Sequence, residues 1–156
     1  MANHYKLCLS FELRKELLAN EKASLDHFIN NRGAISSDLP IHDFFLKENN
    51  KNLVPIPSLY KNFVAGEYYS EYWIRDNSHG VTLLLPGIRD LEGWYQRLKF
   101  VDWLCSMSQR DCYLGCISQE YDDFSTSLLY SIKNKLYFKD IKELTDLNSF
   151  STGEPL

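Results

Sequence analysis

Residues 5–13, YKLCLSFEL, decide the fold, because apolar and polar residues alternate along the stretch almost without interruption. The odd-numbered positions are all aliphatic or aromatic. The even-numbered positions carry Lys6, Cys8, Ser10 and Glu12. A period of two residues predicts a β-strand with one buried face. This strand therefore has to belong to a sheet that packs against a core on one side.

Two stretches with helical spacing follow. Between residues 14 and 31 the apolar spacing changes to three and four residues, which predicts a helix that ends before Gly33. The same spacing recurs over residues 89–108 and predicts a second helix. Its apolar positions are Leu91, Trp94, Leu98, Val101 and Cys105. Because this apolar band is wide, we expect the second helix to be buried on more than one side.

The remaining strands are predicted from β-branched and aromatic runs that are bounded by turn residues. Residues 68–75 and 80–85 form one predicted hairpin, residues 111–119 form a strand, and EYDDFS (120–125) forms an acidic loop. A last hairpin pairs residues 128–132 with 135–138 across Lys133-Asn134. The order of elements predicts an α+β fold, a mainly antiparallel sheet with two principal helices packed against it.

A chain of 156 residues has the size of one ordinary domain, and no internal repeat or change in composition divides it. We therefore expect a single domain over residues 1–156. Residues 33–62, rich in Asn, Ser, Asp and Pro, are predicted to form a long connection, which in a compact domain is often functional. The polar tail, residues 149–156, is expected to fray.

The net charge of -4 argues against a general nucleic-acid-binding protein, which needs a clustered basic face. Polar residues interrupt the N-terminal apolar positions, so the sequence lacks the features of a signal peptide, and no apolar run is long enough to span a bilayer. We therefore expect a cytoplasmic protein without membrane contact. In that compartment the cysteines are expected to be thiols, without a structural disulfide.

The candidate chemical groups follow no known catalytic or metal-binding signature. Cys112 and Cys116 have suitable spacing for one pair of zinc ligands, but no second pair follows them. In a regular strand these two cysteines would share one face, which suits core packing equally well. Sequence analysis thus predicts no catalytic residue, no metal ligand and no cofactor.

Two segments combine carboxylates with aromatic side chains, a composition typical of recognition surfaces. By strand parity, Tyr68, Tyr72 and Ile74 should face the core, and the alternate positions should face outward. The predicted partner-binding residues are Glu67, Tyr69, Glu71, Trp73, Glu120, Asp122 and Asp123. Two other interpretations stay open, in which Trp73 packs under the connection of residues 33–62 and the acidic loop is simply solvated.

With the segments GEYYSEYWIRD (66–76) and SQEYDDFS (118–125), the compact acidic chain resembles the small immunity proteins with which bacteria neutralise toxins. The resemblance implies cytoplasmic residence, no catalysis, and tight binding to a cognate toxin or effector domain. Two alternatives come from other classes. One is a small cytoplasmic enzyme with a cysteine or carboxylate active site, and the other is an accessory protein that forms a homodimer or larger homo-oligomer through the same aromatic residues.

Overall fold

The computed structural model describes residues 4–35, 37–46, 54–61, 66–89 and 92–143, and only the backbone of residues 92–96 and 122–124. The elements are β1 (His4–Glu12), α1 (Ala19–Phe28), a 3₁₀ turn (Asp43–Phe45), α2 (Ile56–Leu59), β2 (Tyr69–Arg75), β3 (Ser78–Arg89), α3 (Glu92–Cys105), β4 (Cys112–Gln119), β5 (Asp122–Ile132), β6 (Lys135–Asp140) and a second 3₁₀ turn (Ile141–Glu143). The tail at residues 149–156 lies outside the described residues.

The six strands form one antiparallel sheet in the order β2-β3-β1-β4-β5-β6. Strand β1 lies inside the sheet and pairs with β3 on one side and β4 on the other. Its alternation is confirmed, because Leu7, Leu9 and Phe11 are only 0%, 2% and 6% exposed. The α+β class and the antiparallel sheet are therefore as predicted.

The helices differ more from the prediction. Three α-helices are described, of which α1 has 10 residues, α3 has 14 and α2 only 4. The expectation of two principal helices is thus met only in part. Helix α1 is shorter than predicted, because the Glu21 carboxylate accepts a hydrogen bond from the main-chain nitrogen of Leu18 at 2.8 Å and also pairs with Arg14. These contacts start the helix at Ala19 and leave residues 14–18 outside it.

An aromatic cluster joins α1, the first 3₁₀ turn and α3. Phe44 stacks on Trp103 with ring centroids 6.0 Å apart, and Phe45 meets the same indole edge-on at 5.0 Å. Phe28 of α1 lies 5.9 Å from Phe44, and Phe100 lies 5.2 Å from it. A part of the predicted 33–62 connection is therefore ordered core structure, because two of its aromatic side chains fill the space between the helices.

His42 fixes the position of this turn. Its Nδ1 accepts a hydrogen bond from the main-chain nitrogen of Phe44 at 3.0 Å, and its Nε2 lies 2.8 Å from Asp102 Oδ2. The other oxygen of Asp102 accepts a hydrogen bond from the main-chain nitrogen of Leu136 at 2.8 Å. Both ring nitrogens of His42 are therefore occupied, and the side chain ties the turn to α3 and β6.

Two of the three hairpin turns are shorter than expected. Strands β2 and β3 are joined by Asp76-Asn77 alone, and β4 and β5 by Glu120-Tyr121. The predicted acidic loop over residues 120–125 is wrong, since β5 already begins at Asp122. The turn between β5 and β6 lies at Lys133-Asn134 as predicted, and both residues have a positive φ, 51° and 60°.

A β-bulge in β4 overturns the expected placement of the cysteines. The pairing with β5 shifts between Tyr113 and Gly115, so that one extra residue is inserted. Cys112 pairs with the core-facing Ser131, whereas Cys116 pairs with Leu128 on the opposite face. The two cysteines consequently lie on different faces of the sheet, because a bulge reverses the parity that a regular strand would keep.

Replacing Gly115 by Ala is expected to destabilise the domain by roughly 3 kcal/mol or more. The added methyl group would clash with main-chain atoms of β1, which cannot move away without distorting the sheet. A Cβ at this position would lie 1.9 Å from the Cys8 carbonyl oxygen. Gly33→Ala is the matched control, since Gly33 also has a positive φ but nothing lies within 4 Å of its Cβ position. Denaturant unfolding measures both variants, and equal losses would contradict the close-approach explanation.

The Asn134 side chain is expected to hold the β5–β6 turn against the end of α3. Its Nδ2 donates to the carbonyl oxygens of Ser108 at 3.1 Å and Cys105 at 3.3 Å. Asn134→Gly keeps the positive φ and should lose about 1 kcal/mol of unfolding free energy. Asn134→Ala adds the backbone penalty and should lose about 2 kcal/mol in total. Thermal or urea unfolding that ranks the two variants in the reverse order would refute this account.

Candidate partner-binding surface

The helices and the first 3₁₀ turn contribute to the core on one face of the sheet, and we call the opposite face the outer face. Its middle row runs across five strands through Tyr69, Leu84, Cys8, Cys116 and Leu128, which the pairing registers place side by side. No helix among the described residues covers this row. Three tyrosines on the outer face are about half exposed, namely Tyr69 at 46%, Tyr113 at 55% and Tyr137 at 49%.

The predicted residues of β2 lie together on the outer face. The Tyr69 hydroxyl donates a hydrogen bond to the Glu71 carboxylate. The Trp73 Nε1 donates to Thr82 Oγ1 at 3.1 Å, and the Arg75 guanidinium lies 4.8 Å from the centre of the indole ring. These contacts orient Tyr69, Glu71 and Trp73 on the outer face.

Gly80 provides the space for Trp73. A Cβ at Gly80 would lie 2.3 Å from the indole, so only glycine lets the ring lie against β3. The described contacts of Trp73 thus place it on the outer face. On the core side, Tyr72 is buried as predicted, and Ile74 lies on the same side of the strand but is not buried. Ile74 is 73% exposed, because it lies near the end of β2, beyond the core.

A shallow apolar groove crosses the outer face. It has a volume of about 640 Å³ and is lined by Tyr69, Leu84 and Tyr113 together with the two cysteines of the middle row. Burial raises the pKa of Tyr113, and the hydrogen bond to Glu71 raises the pKa of Tyr69. Both phenols are therefore protonated at neutral pH, the Tyr69 hydroxyl donating to Glu71 and both hydroxyl oxygens able to accept a hydrogen bond. The groove combines apolar walls with hydroxyl groups at its rim.

The acidic residues of the second predicted segment lie elsewhere. Glu120 forms the β4–β5 turn, where its carboxylate accepts a hydrogen bond from the main-chain nitrogen of Gly87 at 2.6 Å. Asp122 and Asp123 begin β5, and their side chains lie outside the described structure. Glu67 is exposed and precedes β2.

The predicted residues therefore form two patches. The Glu120 nitrogen bonds to the carbonyl of His4 at one end of β1, whereas Trp73 belongs to the row of Glu12 at the other end. Eight residues of strand separate these rows by about 27 Å. Among the described side chains, Tyr69, Glu71 and Trp73 lie together on β2, and Glu120 lies apart from them at the β4–β5 turn.

Sequence analysis missed the other aromatic residues of the outer face. Tyr113 and Tyr130 contact each other with ring centroids 5.6 Å apart, and Tyr130 pairs with Tyr137 of β6. The hairpin at Lys133-Asn134 contained the signal for the second pair, because a two-residue turn places Tyr130 opposite Tyr137. Tyr113 could not be placed in the same way, since its side depends on the bulge.

Two other titratable groups, Cys105 and His79, are buried in the core. Burial raises the pKa of Cys105 to about 12, so this thiol is protonated at neutral pH. His79 is buried, with its Nδ1 2.8 Å from the Tyr72 hydroxyl and its Nε2 next to the Arg14 carbonyl oxygen. Among the described residues, no group of three or more His, Cys, Asp and Glu side chains could hold a metal ion.

Comparison with known proteins adds no family, because no family model, curated protein or solved structure matches the chain. None of the described helices is both long and apolar enough to cross a membrane.

Changing Glu71 to Gln is expected to lower the pKa of Tyr69. The hydrogen bond to the carboxylate stabilises the protonated phenol, and the carboxylate charge opposes the phenolate. An NMR titration of labelled tyrosine side chains measures the shift, with Tyr69→Phe used to assign the signal. An unchanged titration of Tyr69 in Glu71→Gln would show that this pair is not formed in solution.

Proposed function

We propose that this chain is a non-catalytic protein-binding module, an immunity protein that binds and neutralises a cognate toxin or effector domain. The observation that carries the proposal is the outer face, where aromatic side chains line an apolar groove on the side of the sheet opposite the helices. Exposed apolar patches of this kind mark interaction sites, and buried tyrosine and tryptophan anchors supply most of the energy of many interfaces.

The rigidity of this surface supports binding. Tyr69 and Trp73 stand on a strand inside a regular hairpin, and each makes a hydrogen bond to a neighbouring side chain. Because few rotamers are lost when such residues enter an interface, less free energy is spent on ordering them. The two anchors are thus suited to burial against a partner without a large rearrangement of the domain.

The charge of the chain indicates the kind of partner. The net charge is -4, and Glu71 lies between the two aromatic anchors. An acidic domain attracts a basic partner at long range, which mainly raises the association rate and excludes partners of like charge. A toxin domain with a basic active-site surface has the matching chemistry, and its activity would be blocked when this face covers it.

One alternative uses the same residues. A homodimer could form through the outer face, and the half-exposed Tyr137 extends the apolar surface to the edge strand β6. In that case the apparent mass would rise with protein concentration, and mutation of Tyr69 would keep the protein monomeric. Light scattering over a concentration series distinguishes this alternative from a monomeric binder.

The test begins with affinity capture from a lysate of the source organism and expression of each captured protein alone. The proposal expects one captured protein to arrest growth, and co-expression of this chain to restore growth. Tyr69→Ala and Trp73→Ala should each weaken the purified complex by at least about tenfold, as expected for aromatic anchors. Glu71→Lys should slow association most strongly at low salt.

Ile74→Ala is the matched control, because Ile74 is exposed on the same strand but points to the other face. This variant should keep full affinity and full rescue of growth. Thermal unfolding of every variant separates a lost contact from a lost fold. The proposed surface is wrong if folded Tyr69→Ala and Trp73→Ala bind as tightly as the unchanged chain.

A further inference from the structure

Two cysteines lie opposite each other in the middle of the outer face. Cys8 of β1 pairs in register with Cys116 of β4, and both line the apolar groove. Cys8 is exposed and Cys116 is half-buried, and both are free thiols. The pair is therefore accessible to small molecules from the groove.

The pairing geometry places the two cysteines opposite each other, at a Cα separation that disulfides can span. The main-chain nitrogen of Glu120 donates to the His4 carbonyl at 2.9 Å, which makes these residues a hydrogen-bonded pair. Counting along the register in steps of two makes Cys8 and Cys116 such a pair as well. Opposite Cα atoms in these pairs are about 5.5 Å apart, within the range of about 4.4–6.8 Å that disulfides span.

We propose that Cys8 and Cys116 form a modification site at which a small disulfide, such as glutathione disulfide, converts the two thiols into a reversible cross-strand disulfide. The proposal is independent of the neutralising function, because it concerns the chemistry of the pair alone.

The reaction runs in two exchange steps. The exposed Cys8 thiolate attacks one sulfur of glutathione disulfide, the sulfur–sulfur bond breaks, and one glutathione thiolate leaves. The Cys116 thiolate then attacks the Cys8 sulfur of the mixed disulfide and displaces the second glutathione. Both cysteine sulfurs are oxidised, and the oxidant is reduced to two glutathione thiols, which take up the two protons that the cysteines release.

The second step depends on pH. Burial, and next to it the charge of Cys8, raises the pKa of Cys116, whereas Lys6 acts in the opposite direction. Since only the thiolate attacks, the closing step should accelerate as the pH rises towards this pKa.

The bond should be easily reduced again. Opposite Cβ atoms in a sheet are about 4.5–5.5 Å apart, with hydrogen-bonded pairs such as this one at the wide end, whereas a relaxed disulfide prefers about 3.5–4.5 Å. Closing the bond therefore draws β1 and β4 together next to the bulge at Tyr113 and Gly115. Strained and exposed disulfides are the labile ones, which favours a reversible modification over a permanent cross-link.

The other two cysteines serve as internal controls. Cys105 is buried, and its pKa of about 12 keeps it protonated. Cys112 lies on the core side, with its sulfur 3.9 Å from the Ser108 hydroxyl oxygen. Cys112→Ser should consequently react like the unchanged chain, whereas Cys116→Ser should stop after the first step.

The experiment incubates the folded, fully reduced chain with glutathione disulfide and follows intact mass and cysteine peptides under non-reducing conditions. The unchanged chain and Cys112→Ser should yield a linked Cys8–Cys116 peptide that reduced glutathione reopens. Cys116→Ser should accumulate at least about tenfold more glutathione adduct at Cys8, since no second thiol can displace it.

Circular dichroism establishes that each variant is folded before it reacts. The proposal is overturned if the unchanged chain carries glutathione on Cys8 without a linked peptide. It is equally overturned if the link joins Cys112 instead, or if the Cys8–Cys116 peptide forms only after the protein is unfolded in urea. The peptide map of the unchanged chain shows whether Cys8 and Cys116 become linked, even if a serine variant fails to fold.

Discussion

The pairing of β1 with two neighbours at once is the constraint on which the structure depends. Strand β1 joins the β2–β3 hairpin to the three strands β4–β6, and those two halves have no other strand in common. Its alternation determines which face of every other strand enters the core, because register transmits parity from strand to strand. Both the helix-bearing face and the open outer face therefore originate in the pattern of residues 5–13.

The aromatic cluster makes the helical face a core. Phe44 and Phe45 stand on a 3₁₀ turn that His42 and Asp102 hold in place, and Trp103 of α3 packs against both rings. Each large aromatic side chain buries a large apolar area. Two of them on a short ordered turn can therefore fill this part of the core without a longer helix. The connection before β2 is thus part of the folding unit where it is described.

Structural features that depend on neighbouring residues could be predicted from the sequence, and features that depend on contacts between distant residues could not. The alternation of β1 and the turn at Lys133-Asn134 depend on neighbouring residues, and both predictions are confirmed. The start of α1 depends on the ion pair between Arg14 and Glu21, which the spacing of apolar residues does not reveal. The bulge in β4 results from the close approach of Gly115 to β1, a contact between residues more than a hundred positions apart.

The same distinction between local and distant contacts explains which residues of the candidate surface could be predicted. Strand β2 has a regular register, so its parity correctly grouped Tyr69, Glu71 and Trp73. The helices pack on the apolar face that β1 defines, and how completely they cover it is a property of the whole domain. In β4 the bulge lets Tyr113 and Cys116 both point to the open outer face, while Cys112 stays on the core side. A single inserted residue therefore adds Tyr113 to the aromatic groove and keeps Cys112 on the other face from Cys8 and Cys116, which the regular β1–β4 register pairs.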